Sequence, residues 1–204
     1  MSRKNWTTEK LFFRFLTNKS EIVYWDNLRE LRLRGGEDIF LRSYTLAKSD
    51  LTKEQVIGID ILAQLGAPSK EFTNKTLDLF FEILKIATNP DVLTSLLFGI
   101  GHNNNALNEE QIALIATFKT HENTEIRQGV VHALLAVDND TAIKTLISLT
   151  SDKVDSIRDW ATFGIGTQSK RSNKEILDAL WLRVKDRNAN TKYEAIVGLA
   201  NRNV

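Results

Sequence analysis

The chain contains no cysteine among its 204 residues. Disulfide stapling, thiolate chemistry and cysteine-ligated metal sites are therefore excluded, as they would be for a protein of a reducing compartment. Proline occurs twice, at Pro68 and Pro90, which leaves little linker and favours regular structure over the whole length. An imbalance of charge is also missing: 27 basic and 26 acidic side chains leave a formal net charge of +1. A nonspecific nucleic-acid binder needs a larger basic excess or a basic stripe, so only a local patch would serve that purpose. Long hydrophobic runs are absent too. LFFRFL, after the start MSRKNWTTEK, is too short and too polar at its end for a secretory leader. No stretch approaches the roughly 20 apolar residues of a membrane span. The expectation is a cytoplasmic protein with no membrane contact.

What is present is a repeat. IGIDILAQLG (57–66), VLTSLLFGIG (92–101), IRQGVVHALL (126–135), IRDWATFGIG (157–166) and TKYEAIVGLA (191–200) start 35, 34, 31 and 34 residues apart. Near-constant spacing of this size marks a stacked array. The first column of the alignment is Ile57, Val92, Ile126, Ile157 and Thr191. Four residues on come Ile61, Leu96, Val130, Ala161 and Ala195, and eight residues on come Leu65, Ile100, Leu134, Ile165 and Leu199. Apolar residues at 0, 4 and 8 form one stripe of an α-helix and not the alternation of a strand, so these columns are the candidate core.

Further helical patterns cover 72–87, 108–118, 140–149 and 172–184, each ahead of a repeated helix. The unit is then a pair of antiparallel helices, which buries its apolar side only by stacking on neighbours. Capping-box spacing is found at Thr52/Gln55, Asn108/Gln111 and Ser172/Glu175. Asp155 is placed to cap the helix of Ile157, Pro90 suits a helix start, and Gly66, Gly101 and Gly166 are expected where helices stop. Glu21–Arg34 reads as a helix broken by Gly35–Gly36, and EDIFLRSYTLAK pairs with the helix from Thr52. The expectation is an all-α fold of about ten to twelve helices, or about five to six repeats. It would form a single domain over 1–204, with 1–56 as an irregular N-terminal cap.

The Ile-Arg openings at Ile126–Arg127 and Ile157–Arg158, with Lys192 in the basic place of the last unit, resemble HEAT repeats of the bacterial phycobilisome-lyase type. Gly58 and Leu93 depart from that pattern. The resemblance implies a curved, right-handed α-solenoid whose second helices line the concave side. It implies no one activity, because this architecture serves adaptors, inhibitors, lyase-like proteins and some DNA repair enzymes.

On the helical wheel, columns two, three, six and seven lie away from the core stripe. Gln128, His132, Asp159, Trp160, Phe163, Tyr193 and Glu194 fall there and form the candidate partner-binding patch. An aromatic centre ringed by hydrogen-bonding groups is the chemistry of a protein-binding hot spot. Trp160 has two other readings: packing over Gly129 against the neighbouring repeat, or stacking on a base. Phe163 also suits plain packing, and Tyr193 a bare solvent position. Arg127, Arg158 and Lys192 share column one and are expected as a structural ladder tying repeat to repeat, with phosphate contact as the alternative.

His102, His121 and His132, the only histidines, match no metal-ligand spacing. No phosphate loop, nucleophile elbow or cofactor motif is found, so no metal, cofactor or catalytic residue is expected. The favoured function is noncatalytic capture of another protein, as an adaptor or as a cognate inhibitor (an immunity protein) of a toxin. Asp155, Asp159 and Glu194 would then face a basic toxin domain. The alternative is a HEAT-like alkylpurine DNA glycosylase or a lyase-like enzyme. For the glycosylase, Asp159 and Trp160 would act on the base, and Arg29, Arg32, Arg34 and Arg42 would be the nearest cationic group.

Overall fold

The computed structural model describes residues 3–18, 20–66 and 69–204. These residues form twelve α-helices and no β-strand. The all-α reading therefore holds, and Glu21–Arg34 is helical over the range expected of it. Pro68 lies outside the described residues. The chain forms two compact units, Met1–Asn103 and Asn104–Val204.

The first unit holds α1 (Thr8–Thr17), α2 (Glu21–Arg34), α3 (Glu37–Ala47), α4 (Thr52–Ala63), α5 (Thr73–Leu84) and α6 (Pro90–Gly101). The Thr7 side chain caps α1 by accepting from the Lys10 amide, and the helix buries Leu11, Phe12 and Phe15. α1 and α2 pack on each other and both reach α4. α3 packs against α4 along its length. Gly58 makes this approach possible: a Cβ there would stand 2.3 Å from the Ala47 nitrogen and 2.5 Å from the Ser43 carbonyl oxygen. α4 packs in turn on α6. Asn103 ties the two together by donating from Nδ2 to the carbonyls of Ala63 (2.8 Å) and Gly99 (2.9 Å).

The second unit holds α7 (Glu109–Ala116), α8 (Thr124–Leu134), α9 (Asp140–Leu149), α10 (Asp155–Phe163), α11 (Lys174–Arg183) and α12 (Ala189–Ala200). Here α8, α10 and α12 contact one another in sequence order, and so do α7, α9 and α11. The unit is thus two layers of helices with the core between them. In both units all fifteen residues of the 0, 4 and 8 columns are buried. Each large aliphatic side chain removed from water this way contributes ~1.5–3 kcal/mol.

The helix starts follow a simpler rule than the capping-box spacing suggests. Asparagine caps six helices: Asn89, Asn108, Asn123, Asn139, Asn173 and Asn188 accept from amides of the first turn. Among the described residues Asn108 alone completes a capping box, with Gln111. The cap expected at Ser172 falls one residue later, on Asn173. Thr52 is the first residue of α4 after an uncapped Leu51, and Asp155 the first residue of α10 after Val154. The Val154 amide is instead held by Asp152 Oδ1 at 2.8 Å.

The three glycines expected at helix stops also divide. Gly66 has φ +68°, the left-handed conformation that ends a helix. Gly101 is the last residue of α6, and Gly166 lies inside a π-helical turn, Gly164–Gln168, that prolongs α10. What Gly166 provides is close approach: a Cβ on Gly198 of α12 would come within 2.7 Å of its Cα. Arg202 locks the same junction by donating to the carbonyls of Ile165, Gly166, Ser169, Arg171 and Gly198.

Candidate functional site

The site is on the α8–α10–α12 layer of the second unit. Two of its column-one residues, Arg127 and Arg158, are buried and ion-paired. Arg127 of α8 is buried and forks onto Asp152, with Nε to Oδ2 at 2.7 Å and Nη2 to Oδ1 at 3.0 Å. Arg158 of α10 repeats the arrangement with Asp186, at 3.0 and 2.9 Å. Each aspartate sits in the loop before the next helix of the layer and also accepts from an amide two residues on, Val154 or Asn188. Each arginine also reaches a carbonyl in the loop before its own helix, His121 or Asp152. Asp155, half exposed, adds a third carboxylate bond to Arg158 at 2.8 Å. Arg158 holds Asp186 down at about 2, well below the usual carboxylate range, helped by the Asn188 amide and by Arg183. At Asp152 burial pushes up, but the bond from Arg127 and the Val154 amide outweigh it, and the net direction is down. Lys192, the third member of column one, is exposed and forms no ion pair among the described residues.

Above this frame stands Trp160, 40% exposed. Its ring lies 5.1 Å from the His132 ring of α8 and 5.7 Å from Phe163, one turn along its own helix, at 88°. Edge-to-face contact of this kind orients the indole without covering it. Burial lowers the His132 pKa, which favours the neutral ring beside the indole. Gln128 is half-buried one turn before His132, and its Nε2 is buried without a protein partner. Tyr193 of α12 is 64% exposed and makes no ring contact with Trp160 among the described residues. Gly129, column three of α8, is buried.

Two acids complete the patch. Asp159 Oδ1 is buried with no hydrogen-bond partner, and desolvation raises its pKa. Glu194 of α12 accepts from Thr167 Oγ1 at 3.3 Å. Its pKa is raised by desolvation, with the Asp159 charge pushing the same way against the Thr167 bond. The layer therefore holds two half-buried carboxyls, the Asp159 charge acting against that of Glu194, with no ion pair to either among the described residues. A guanidinium or ammonium group brought to them would remove that repulsion.

The same columns behave differently in the first unit. Ile59, column two of α4, is fully buried. Asp60, column three, turns its carboxyl to the Tyr24 hydroxyl and to Ser95. The four arginines marked as a cationic group are all engaged within the unit. Arg29 pairs with Asp26 and Arg34 with Glu30, Arg32 donates to the Asp60 carbonyl, and Arg42 lies 4.1 Å over the Phe12 ring.

The residues that pattern reading did not supply are Asp152 and Asp186. Both lie in loops outside the aligned columns. Their signal is a loop aspartate 25 and 28 residues after the column-one arginine.

No family model matches the chain. Protein YibA of Escherichia coli K12 is 26% identical over 215 residues, an alignment spanning 93% of this chain and 68% of YibA. The X-ray structure of YibA superposes with a TM-score of 0.81 at 24% identity, covering 98% of this chain and 72% of that one. A designed armadillo repeat protein in complex with the peptide (KR)4 gives a TM-score of 0.60 at 15% identity, covering 94% of this chain and 98% of that one. These likenesses are of fold: the chain is a helical-repeat protein. No helix among the described residues is long and apolar enough to cross a membrane.

Proposed function

We propose that the chain is a noncatalytic protein-binding module that works in the cytoplasm and takes a basic segment of its partner on the α8–α10–α12 layer. The observation that carries this reading is the half-buried pair Asp159 and Glu194, with no ion pair among the described residues, on the layer that also holds the exposed Trp160. Such a layer is complementary to a lysine or arginine side chain presented from a folded surface or an extended strand. That a designed armadillo repeat protein carries a lysine–arginine peptide lends support by analogy of fold. The buried Arg127–Asp152 and Arg158–Asp186 forks serve as the frame that keeps the layer rigid before the partner arrives.

Within this proposal the partner is a basic toxin domain and the chain its cognate inhibitor, with an adaptor role resting on the same surface physics. Kinship with phycobilisome-lyase-type HEAT repeats also belongs to the proposal, and rests on the Ile126–Arg127 and Ile157–Arg158 openings. The test is affinity capture from the source cell with wild type, Trp160→Ala and Asp159→Ala, each first shown to be folded by circular dichroism. Loss of the captured protein with both folded variants supports the reading, and undiminished capture by either removes that residue from the site.

A further inference from the structure

The second unit contains a cavity of about 150 Å³ where α9 meets the π-helical turn Gly164–Gln168. Its floor is apolar. Ile143 and Leu146, one turn apart on α9 and both buried, form it together with Gly164. Ala136 and Val137, in the loop between α8 and α9, make a second wall. An apolar cavity of this size holds one benzene-sized molecule. It shares no lining residue with the patch around Trp160 and Asp159.

Two unusual backbone conformations shape this cavity. Ala136 has φ +60°, a left-handed conformation in a residue that carries a Cβ. Gly164–Gln168 winds as a π-helix where α10 ends. Both forms are rare, and they gather at ligand clamps and other functional sites, where the surroundings hold them in place. The wall at Gly164 is closely packed: a Cβ there would stand 3.0 Å from Leu135 Cδ2 and 3.2 Å from Leu146 Cδ1. Arg171 clasps the rim. Its side chain donates to Asp138 and Asp140, and its amide donates to Ser169 Oγ at 3.2 Å. The charge of Asp138, the one acid in the lining, is thereby matched. Lys170 is exposed and keeps its ammonium in water. The Gln168 side chain, one π-turn after Gly164, makes no hydrogen bond among the described residues.

We infer that this cavity binds a small neutral phenol, the ring on Ile143 and Leu146 and the hydroxyl on the Gln168 amide. The apolar floor takes the ring, and the amide supplies both a donor and an acceptor for one hydroxyl. A carboxylate finds no fixed cation, because Arg171 is committed to Asp138 and Asp140. A two-ring molecule exceeds the volume. This site is independent of the protein-binding layer and stands or falls separately from it.

The experiment is a 1H–13C NMR titration of the full chain, read at the methyl groups of Ile143 and Leu146. The probes are phenol, benzoate and 2-naphthol. Phenol should give saturable shifts at both residues with a dissociation constant of about 1 mM or tighter. Benzoate and 2-naphthol should give none. Gln168→Ala, a substitution at an exposed position, should weaken phenol about fivefold, the loss of one hydrogen bond. Ile143→Phe, read at Leu146, adds volume to the floor and should abolish binding. Should Ile143→Phe fail to fold, the two control probes and Gln168→Ala still decide. The inference is overturned by the absence of saturable shifts with phenol. Equal binding of benzoate or 2-naphthol overturns it too, as does unchanged phenol affinity in Gln168→Ala or in a folded Ile143→Phe.

Discussion

Asp186→Asn is the substitution that most directly tests the frame beneath the α8–α10–α12 layer. Asparagine keeps the shape and still offers an oxygen to the Asn188 amide, so what is lost is the charge facing Arg158. The Asp186 carboxyl is held at about 2 in the folded chain against an ordinary 3.8, which at about 1.36 kcal/mol per pH unit corresponds to ~2 kcal/mol of stability at neutral pH. The sign follows from a depressed carboxylate pKa. The stabilisation is complete above pH 3.8 and disappears as pH falls through about 2. The Arg158 charge left behind keeps the half-exposed Asp155 and the Asp152 carbonyl, so the loss of its buried carboxylate adds to that cost. Urea unfolding followed by circular dichroism at several pH values measures the gap between wild type and variant. The gap should be ~2 kcal/mol at pH 7, roughly half that at pH 3, and should largely close near pH 2. A gap below ~0.5 kcal/mol at pH 7, within the range of ordinary surface substitutions, would refute the reasoning, and so would one that does not change with pH.

Three other substitutions probe separate parts of the structure. Gly58→Ala places a Cβ 2.3 Å from the Ala47 nitrogen, a backbone clash that forces α3 and α4 apart, and should cost ~3 kcal/mol in the same unfolding measurement. Asn103→Ala strands the Ala63 and Gly99 carbonyls in a buried position and should cost ~1–3 kcal/mol. Asp159→Asn should act in opposite directions on fold and function. The raised Asp159 and Glu194 pKa values mean that ionisation penalises the free fold above the ordinary carboxylate range, so the variant should melt at a higher temperature at pH 7. The same variant should bind the partner more weakly, and a lower melting temperature would contradict the account.

The core was legible in the sequence because a 0/4/8 stripe repeated every 31 to 35 residues has one physical solution, a helix packed on its neighbours. Arg127 and Arg158 stand out in the sequence for the same reason, since they hold a fixed column. Their partners do not, because Asp152 and Asp186 sit in loops with no periodicity of their own. Gly166 shows a second limit. A glycine near a helix end looks the same in sequence whether it supplies a positive φ, as Gly66 does, or admits another backbone, as Gly166 admits Gly198. Exposure was the least readable property. Column two is open at Tyr193 and sealed at Ile59: α4 is packed by α1, α2, α3, α5 and α6, while α12 packs on α10, α11 and the turn Gly164–Gln168.

The central claim is that a partner protein is held on the layer of α8, α10 and α12. Hydrogen exchange of the chain alone and in complex with its captured partner, read by mass spectrometry, tests it most directly. The account predicts slowed exchange concentrated in residues 124–134, 155–168 and 189–200. Slowed exchange elsewhere, with those three segments unchanged, would contradict it.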